Sequence, residues 1–180
     1  YLPKKYPQTK FSFKLQREAL GTGHAIYQAK ELIKEGDNLL ICYCDTIFEG
    51  GLDKISNLSE EVEGILYAVE VPDPEHYGIL ENDGAYITGL VEKPKEPKSN
   101  LANIGLYYIK NGYNFMSNYL QKVMDTGLNA VGEYYLTDAF ILMIQDGKKL
   151  VAEPVAYMDT GTVEKMILAN AKLLQGKVAK

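Results

Sequence analysis

Apolar positions along this chain follow two rhythms. Between Thr22 and about Lys34, Ala25, Ile26, Ala29, Leu32 and Ile33 recur three or four residues apart, which predicts an amphipathic helix that Gly36-Asp37 ends. "KFSFKLQ" (10–16) instead alternates Phe and Leu with polar residues, predicting a strand with one buried face. "NLLICYC" (38–44) is almost continuously apolar, as a strand covered on both faces requires, and "GILYAVEV" (64–71) and "NLANIGLYYI" (100–109) read the same way. In "YGILENDGAYITGLVEKP" (77–94) two alternating runs flank Asn82-Asp83-Gly84, a hairpin turn signal. Residues 51–58 suit a short helix and 112–124 and 134–146 longer ones; "LVAEPVAYM" reads as one more strand, and a helix from about Thr162 to Leu174 follows.

Strands alternating with helices, plus one inserted hairpin, indicate an α/β sandwich with a mixed sheet. No repeat or low-complexity stretch interrupts the pattern, and "EKPKEPK" (92–98), lying between two strands, reads as a structured loop. With 180 residues, the chain is expected to form a single domain.

Composition narrows the partners. A net charge of −5 argues against nucleic acid or an anionic membrane, both of which demand clustered Lys and Arg. No apolar run approaches the ~20 residues that span a bilayer. Cys42 and Cys44 are the only cysteines; no second pair completes a zinc site, so they read as buried free thiols of a reducing cytosol.

Several residues stand where chemistry is done. On residue types alone, Gly21-Thr22-Gly23 is either a tight turn into a helix or backbone that lets a ligand approach helix N–H groups. Gln16, just upstream, presents a donor and an acceptor side by side, as the edge of a nucleobase requires. Asp45 follows a buried run, at the carboxyl end of a strand, where open α/β sheets place ligands. Asp159, in "YMDTGT", repeats that pattern, and two such carboxylates suit Mg²⁺ if their strands lie together; the alternative for each is a turn or helix entry. Glu92-Lys93 closes the hairpin either as solvated surface or as an acceptor for sugar hydroxyls beside a point charge for phosphate. Asn103, polar inside a buried strand, needs a partner, either backbone or ligand. His24 and His76 belong to no triad, and no nucleophile stands out, which fits chemistry by positioning and electrostatics.

Five stretches, in order, resemble the sugar-phosphate nucleotidyltransferases: "QREALGTGHAIYQA", "CDTIF", "DPEHYGIL…GLVEKPKEPKSNLANIGLYYI", "GEYYLTDAF" and "YMDTGTVEKMILAN". The resemblance implies a Rossmann-like three-layer sandwich with a mixed, mostly parallel sheet and an inserted β-hairpin. It implies transfer of a nucleotidyl group from a nucleoside triphosphate, UTP or dTTP, to a sugar 1-phosphate, with Mg²⁺ and release of pyrophosphate. Position by position, Gln16, Gly21 and Thr22 would hold the base; Asp45 and Asp159 would ligate Mg²⁺. Gly78, Glu92 and Asn103 would line the sugar pocket, and Lys93 would bind the sugar phosphate. Two departures stand out. Cys44 occupies a position that is usually Gly in the family. The family's first strand and its glycine-rich loop bearing Arg and Lys are absent from residues 1–180, so this stretch alone is expected to be inactive and to expose apolar surface. Two other readings are a regulatory or scaffold subunit of the same fold and a glycosyltransferase. The latter would normally show a second acidic residue two positions beyond Asp45, where Ile47 stands. The protein is expected to be cytoplasmic; its oligomeric state, a homo-oligomer included, is left open.

Overall fold

The computed structural model describes residues 1–178. A short helix, α1 (Leu2–Lys5), precedes an irregular segment and α2 (Thr22–Tyr27). Strands β1 (Leu39–Cys42) and β2 (Thr46–Glu49) follow, then β3 (Val62–Glu70), the hairpin β4 (Gly78–Asn82) and β5 (Ile87–Glu92), and β6 (Leu101–Ile109). A continuous helical stretch runs through α3 (Gly112–Asn114), a π-helical turn (Phe115–Leu120) and α4 (Gln121–Thr126). The chain continues with α5 (Leu136–Gln145), β7 (Lys149–Pro154), β8 (Ala156–Asp159) and α6 (Val163–Val178).

The main sheet has the order β5-β4-β6-β3-β7, with β1 also pairing β6; β2 and β8 form a separate antiparallel ribbon. The α/β class, the mixed sheet and the inserted hairpin match the expectation. The pairing does not match a mostly parallel sheet: only β3 and β7 pair in parallel, whereas β6 lies antiparallel to β1, β3 and β4. The cause is β6 itself. Strands β1, β3, β4 and β7 run one way, but β6 runs against them from the centre of the sheet and so separates strands of like direction.

Alternation through β3 divides the core into two faces. Leu66 and Ala68 pack with Tyr107, Phe115, Leu120 and Phe140 under the helices. Ile65 and Tyr67 pack with Ile104, Leu106 and Tyr108 under the ribbon and the 3₁₀ turn Leu52–Asn57. All four β3 residues have no exposed surface, which explains the unbroken apolar run. Phe115 and Phe140 stack at 5.3 Å, and each buried ring stabilises the fold by roughly 1.5–3 kcal/mol.

Four expectations are corrected. Residues 10–16 form no strand: Phe13 and Leu15 remain 78% and 72% exposed, and their alternation finds no sheet edge to pair with. The helix predicted over 22–34 stops at Tyr27 and tightens into the 3₁₀ turn Lys30–Leu32, which lets Tyr27 and Lys30 both reach Gln121. "NLLICYC" is covered on one face only. Ile41 meets the helical layer, whereas Leu40, Cys42 and Cys44 are exposed because the ribbon covers β3 and β6 but stops short of β1, so the thiols are not buried. Finally, "LVAEPVAYM" is two strands. Val155 donates its N–H to Ala68 and ends the pairing with β3, and β8 leaves for the ribbon.

Candidate active site

Everything that organises this site passes through a bulge in β6. Between Leu66 and Ala68 the pairing slips, because Ile104, Gly105 and Leu106 stand opposite a single residue of β3. Gly105 adopts φ +73°, and a Cβ there would lie 2.3 Å from the Tyr43 ring, so no other residue fits. The carbonyls freed by the bulge are taken by the turn that carries Asp45: Tyr43 N–H donates to Gly105 (2.9 Å) and the Thr46 hydroxyl to Ile104 (2.7 Å).

Asp45 occupies that turn, between β1 and β2, and is exposed. Asp159 ends β8, and the ribbon register sets Thr46 opposite Asp159. Thr160 closes the connection by donating both its N–H (3.2 Å) and its hydroxyl (2.9 Å) to the Asp45 carbonyl. The two strand ends do lie together. A Cβ on Gly161 would stand 3.1 Å from Asp159 Oδ1 and 3.6 Å from Asp45 Oδ2, so the missing side chain leaves a recess between two carboxylates. Asp159 accepts from Gly161 N–H (2.7 Å) and from the Lys165 ammonium (2.5 Å). Partial burial pushes its pKa up, but the Lys165 hydrogen bond, the Gly161 N–H and the Lys165 charge prevail and hold it below the usual carboxylate value.

On the other side of the bulge, Gly78, Glu92 and Asn103 converge. Gly78 faces Glu92 across the hairpin, and a Cβ on Gly78 would lie 2.8 Å from the Glu92 carboxylate and 4.0 Å from Asn103 Cβ. Asn103 finds both a backbone and a side-chain partner: Oδ1 accepts from Gly105 N–H (3.1 Å) and Nδ2 donates to the Tyr107 hydroxyl (2.7 Å). A cavity of about 180 Å³ is lined by Thr22, Tyr43, Glu92, Asn103, Tyr107, Tyr135 and Thr137. Burial pushes the Tyr107 hydroxyl well above the ordinary tyrosine pKa and the Tyr43 hydroxyl up as well. Tyr135 and Thr137 fall in the stretch "GEYYLTDAF" and Tyr43 and Tyr107 in the apolar runs, yet none of the four takes a site role in the sequence reading. Tyr43, two residues before Asp45, was the one with a positional signal.

Gln16 and Gly21 do not line this cavity. Gln16 Nε2 donates to the Gly21 carbonyl and meets His24 Nδ1, both at 3.1 Å. The glycines have a packing reason of their own: a Cβ on Gly21, at φ +93°, would lie 2.6 Å from the Tyr134 carbonyl, to which Gly23 donates at 2.8 Å. Thr22 Oγ1 accepts the Leu136 N–H (3.2 Å), capping the first turn of α5 from outside. "LGTGHA" and "GEYYLTDA" are thus two sides of one interface. Lys93, with φ +46°, is held in the left-handed region at a cost of about 1–2 kcal/mol, its N–H bonded to Tyr77 at 2.9 Å and its side chain exposed.

An α/β sheet with two facing carboxylates and an adjoining polar cavity is an arrangement suited to binding a ligand at strand ends. The family model described as nucleotidyl transferase matches residues 3–176, and the chain belongs to that nucleotidyl transferase family. Among relatives, it is 34% identical over 176 residues to the bifunctional protein GlmU of Methanococcus maripaludis strain S2, and 32% identical to that of strain C5. The match covers 95% of this chain and 40% of each relative. A solved structure described as a glucose-1-phosphate thymidylyltransferase from Bacillus anthracis, in complex with sucrose, shares the fold with a TM-score of 0.75. It is 22% identical and matches over 93% of this chain and 67% of its own. Among the described residues no helix is long and apolar enough to cross a membrane.

Proposed function

We propose that this chain supplies the base, sugar and cation sites of an enzyme that transfers a nucleotidyl group from UTP or dTTP to a sugar 1-phosphate. A phosphate oxygen of the sugar 1-phosphate attacks the α-phosphorus, and pyrophosphate leaves. The observation that carries this reading is the convergence of Asp45 and Asp159 on the recess at Gly161, one bulge away from the Thr22–Glu92–Asn103 cavity.

Two carboxylates suit Mg²⁺, which typically takes one or two protein carboxylates, keeps waters and binds substrate phosphates. No third His, Cys, Asp or Glu joins them among the described residues, which leaves room for those oxygens. When bound, the ion offsets phosphate charge as pyrophosphate departs. The chain's own residues do the positioning. Glu92 accepts from sugar hydroxyls, and Gly78 keeps that carboxylate unobstructed. Asn103 turns its remaining amide hydrogen to the sugar, and the Lys93 ammonium takes the sugar phosphate. For the base, both Gln16 amide hydrogens are committed to Gly21 and His24, so Oε1 is the group without a partner among the described residues. An acceptor there suits the N3–H of uracil or thymine. Thr22 and Gly21 complete that side.

The test is pyrophosphate release from UTP or dTTP with a panel of sugar 1-phosphates, on the full-length protein. In the full-length protein, Asp45→Asn is expected to lower kcat/KM by about 10³-fold or more. Asp45→Asn activity within tenfold of wild type would overturn the cation role of Asp45, whereas a wild-type protein that releases no pyrophosphate with any of the sugar 1-phosphates would favour a non-catalytic subunit.

A further inference from the structure

Asp159 has no carboxylate oxygen without a partner. Oδ1 accepts from Gly161 N–H at 2.7 Å, and Oδ2 holds the Lys165 ammonium at 2.5 Å. Lys165 sits in the opening turn of α6, its ammonium 6.0 Å from the Tyr77 ring centroid. The pair is partly withdrawn from water, with 25% of the Asp159 side chain and 43% of the Lys165 side chain exposed. Partial burial leaves such an ion pair less screened than a surface one. Asp45, by contrast, forms no ion pair among the described residues, so the two carboxylates around Gly161 are unequal before any ion arrives.

We propose that Lys165 is a tethered counter-cation, occupying on Asp159 the place a divalent ion needs. Ion binding is then an exchange, in which the ammonium withdraws from Oδ2 as the ion takes it. This rests on the reading of Asp45 and Asp159 as the cation pair. A lysine so placed lowers affinity for free ion while keeping Asp159 oriented when the ion is away. Its flexible stem and exposed position allow the withdrawal; α6 need not move.

Binding of Mn²⁺ alone to the full-length protein, with free ion read by electron paramagnetic resonance, tests the exchange without turnover. Lys165→Met is expected to tighten the Mn²⁺ Kd roughly fivefold to tenfold, the scale of a partly exposed charged hydrogen bond. Lys172→Met, at a lysine that lines the same 330 Å³ cavity, controls for a simple loss of positive charge and should stay within about twofold of wild type. An unchanged or weakened Kd in Lys165→Met would defeat the exchange, as would equal tightening in both variants. Asp45→Asn and Asp159→Asn separate the two levels of inference. If neither weakens Mn²⁺ binding, the cation pair itself fails and Lys165 with it. If both do while Lys165→Met changes nothing, only the role of Lys165 fails.

Discussion

The cavity around Asn103 and the recess around Gly161 lie on two sides of one bulge but are held in different ways. In the cavity a side chain holds a side chain, Asn103 bonding Tyr107, and the Tyr43 ring packs over the bare Gly105 backbone. Around the recess a backbone group enters every contact except the Lys165–Asp159 pair: Thr160 bonds the Asp45 carbonyl and Gly161 N–H bonds Asp159. The difference suits the ligands proposed for each. A sugar is discriminated by fixed hydrogen-bonding groups, whereas a hydrated ion bound with phosphates needs carboxylates that adjust.

The largest expected effect removes the distinction. Gly105→Ala adds a Cβ 2.3 Å from the Tyr43 ring at φ +73°, and should cost about 3 kcal/mol by urea unfolding while weakening both Mn²⁺ and sugar phosphate binding. A loss under about 1 kcal/mol would show that the bulge is not the common support. Tyr107→Phe should separate the halves. It strips the partner from a half-buried amide at a cost of about 1–2 kcal/mol and should raise the sugar phosphate KM several-fold, leaving the Mn²⁺ Kd unchanged.

The smallest effect is visible only in alkali. The folded state holds the Tyr107 and Tyr43 pKa values above their ordinary level, chiefly through burial. Their contribution to stability is therefore complete below about pH 10 and is lost as pH rises from there towards the folded values. Absorbance at 295 nm should show these tyrosines ionising late, with unfolding, apart from the exposed ones among the 14. If all 14 titrate together near pH 10 with the fold intact, the cavity is looser than described.

How much of this was legible in the sequence depends on what each pattern encodes. Continuous apolar runs gave β3 and β6 because both faces of those strands are covered. Asn82-Asp83-Gly84 gave the hairpin because its turn chemistry is local: Asp83 Oδ1 accepts from the N–H groups of Ala85 and Tyr86. Asp45 and Asp159 stood out from their positions at strand ends, but nothing local says that β2 pairs β8. The misreadings share a cause. Alternation in 10–16 and the apolar run of 38–44 state what those residues could bury, and burial is decided by neighbours that periodicity does not see. Asn103-Ile104-Gly105 was noticed for its buried polar residue, yet the slip in pairing that aims Asn103 at the cavity appears only with β3 alongside.

The β2/β8 ribbon also sets an order of events during synthesis. Thr160 clasps the Asp45 carbonyl across 115 positions of sequence, so one carboxylate leaves the ribosome long before the strand that fixes it. At roughly 5–20 residues per second, the interval is on the order of ten seconds. Throughout it, β3, the hairpin and β6 can associate, since their contacts are nearer in sequence. The acidic recess is assembled last, when β8 docks, so an emerging chain brings Glu92 and Asn103 together before it places Asp45 beside Asp159.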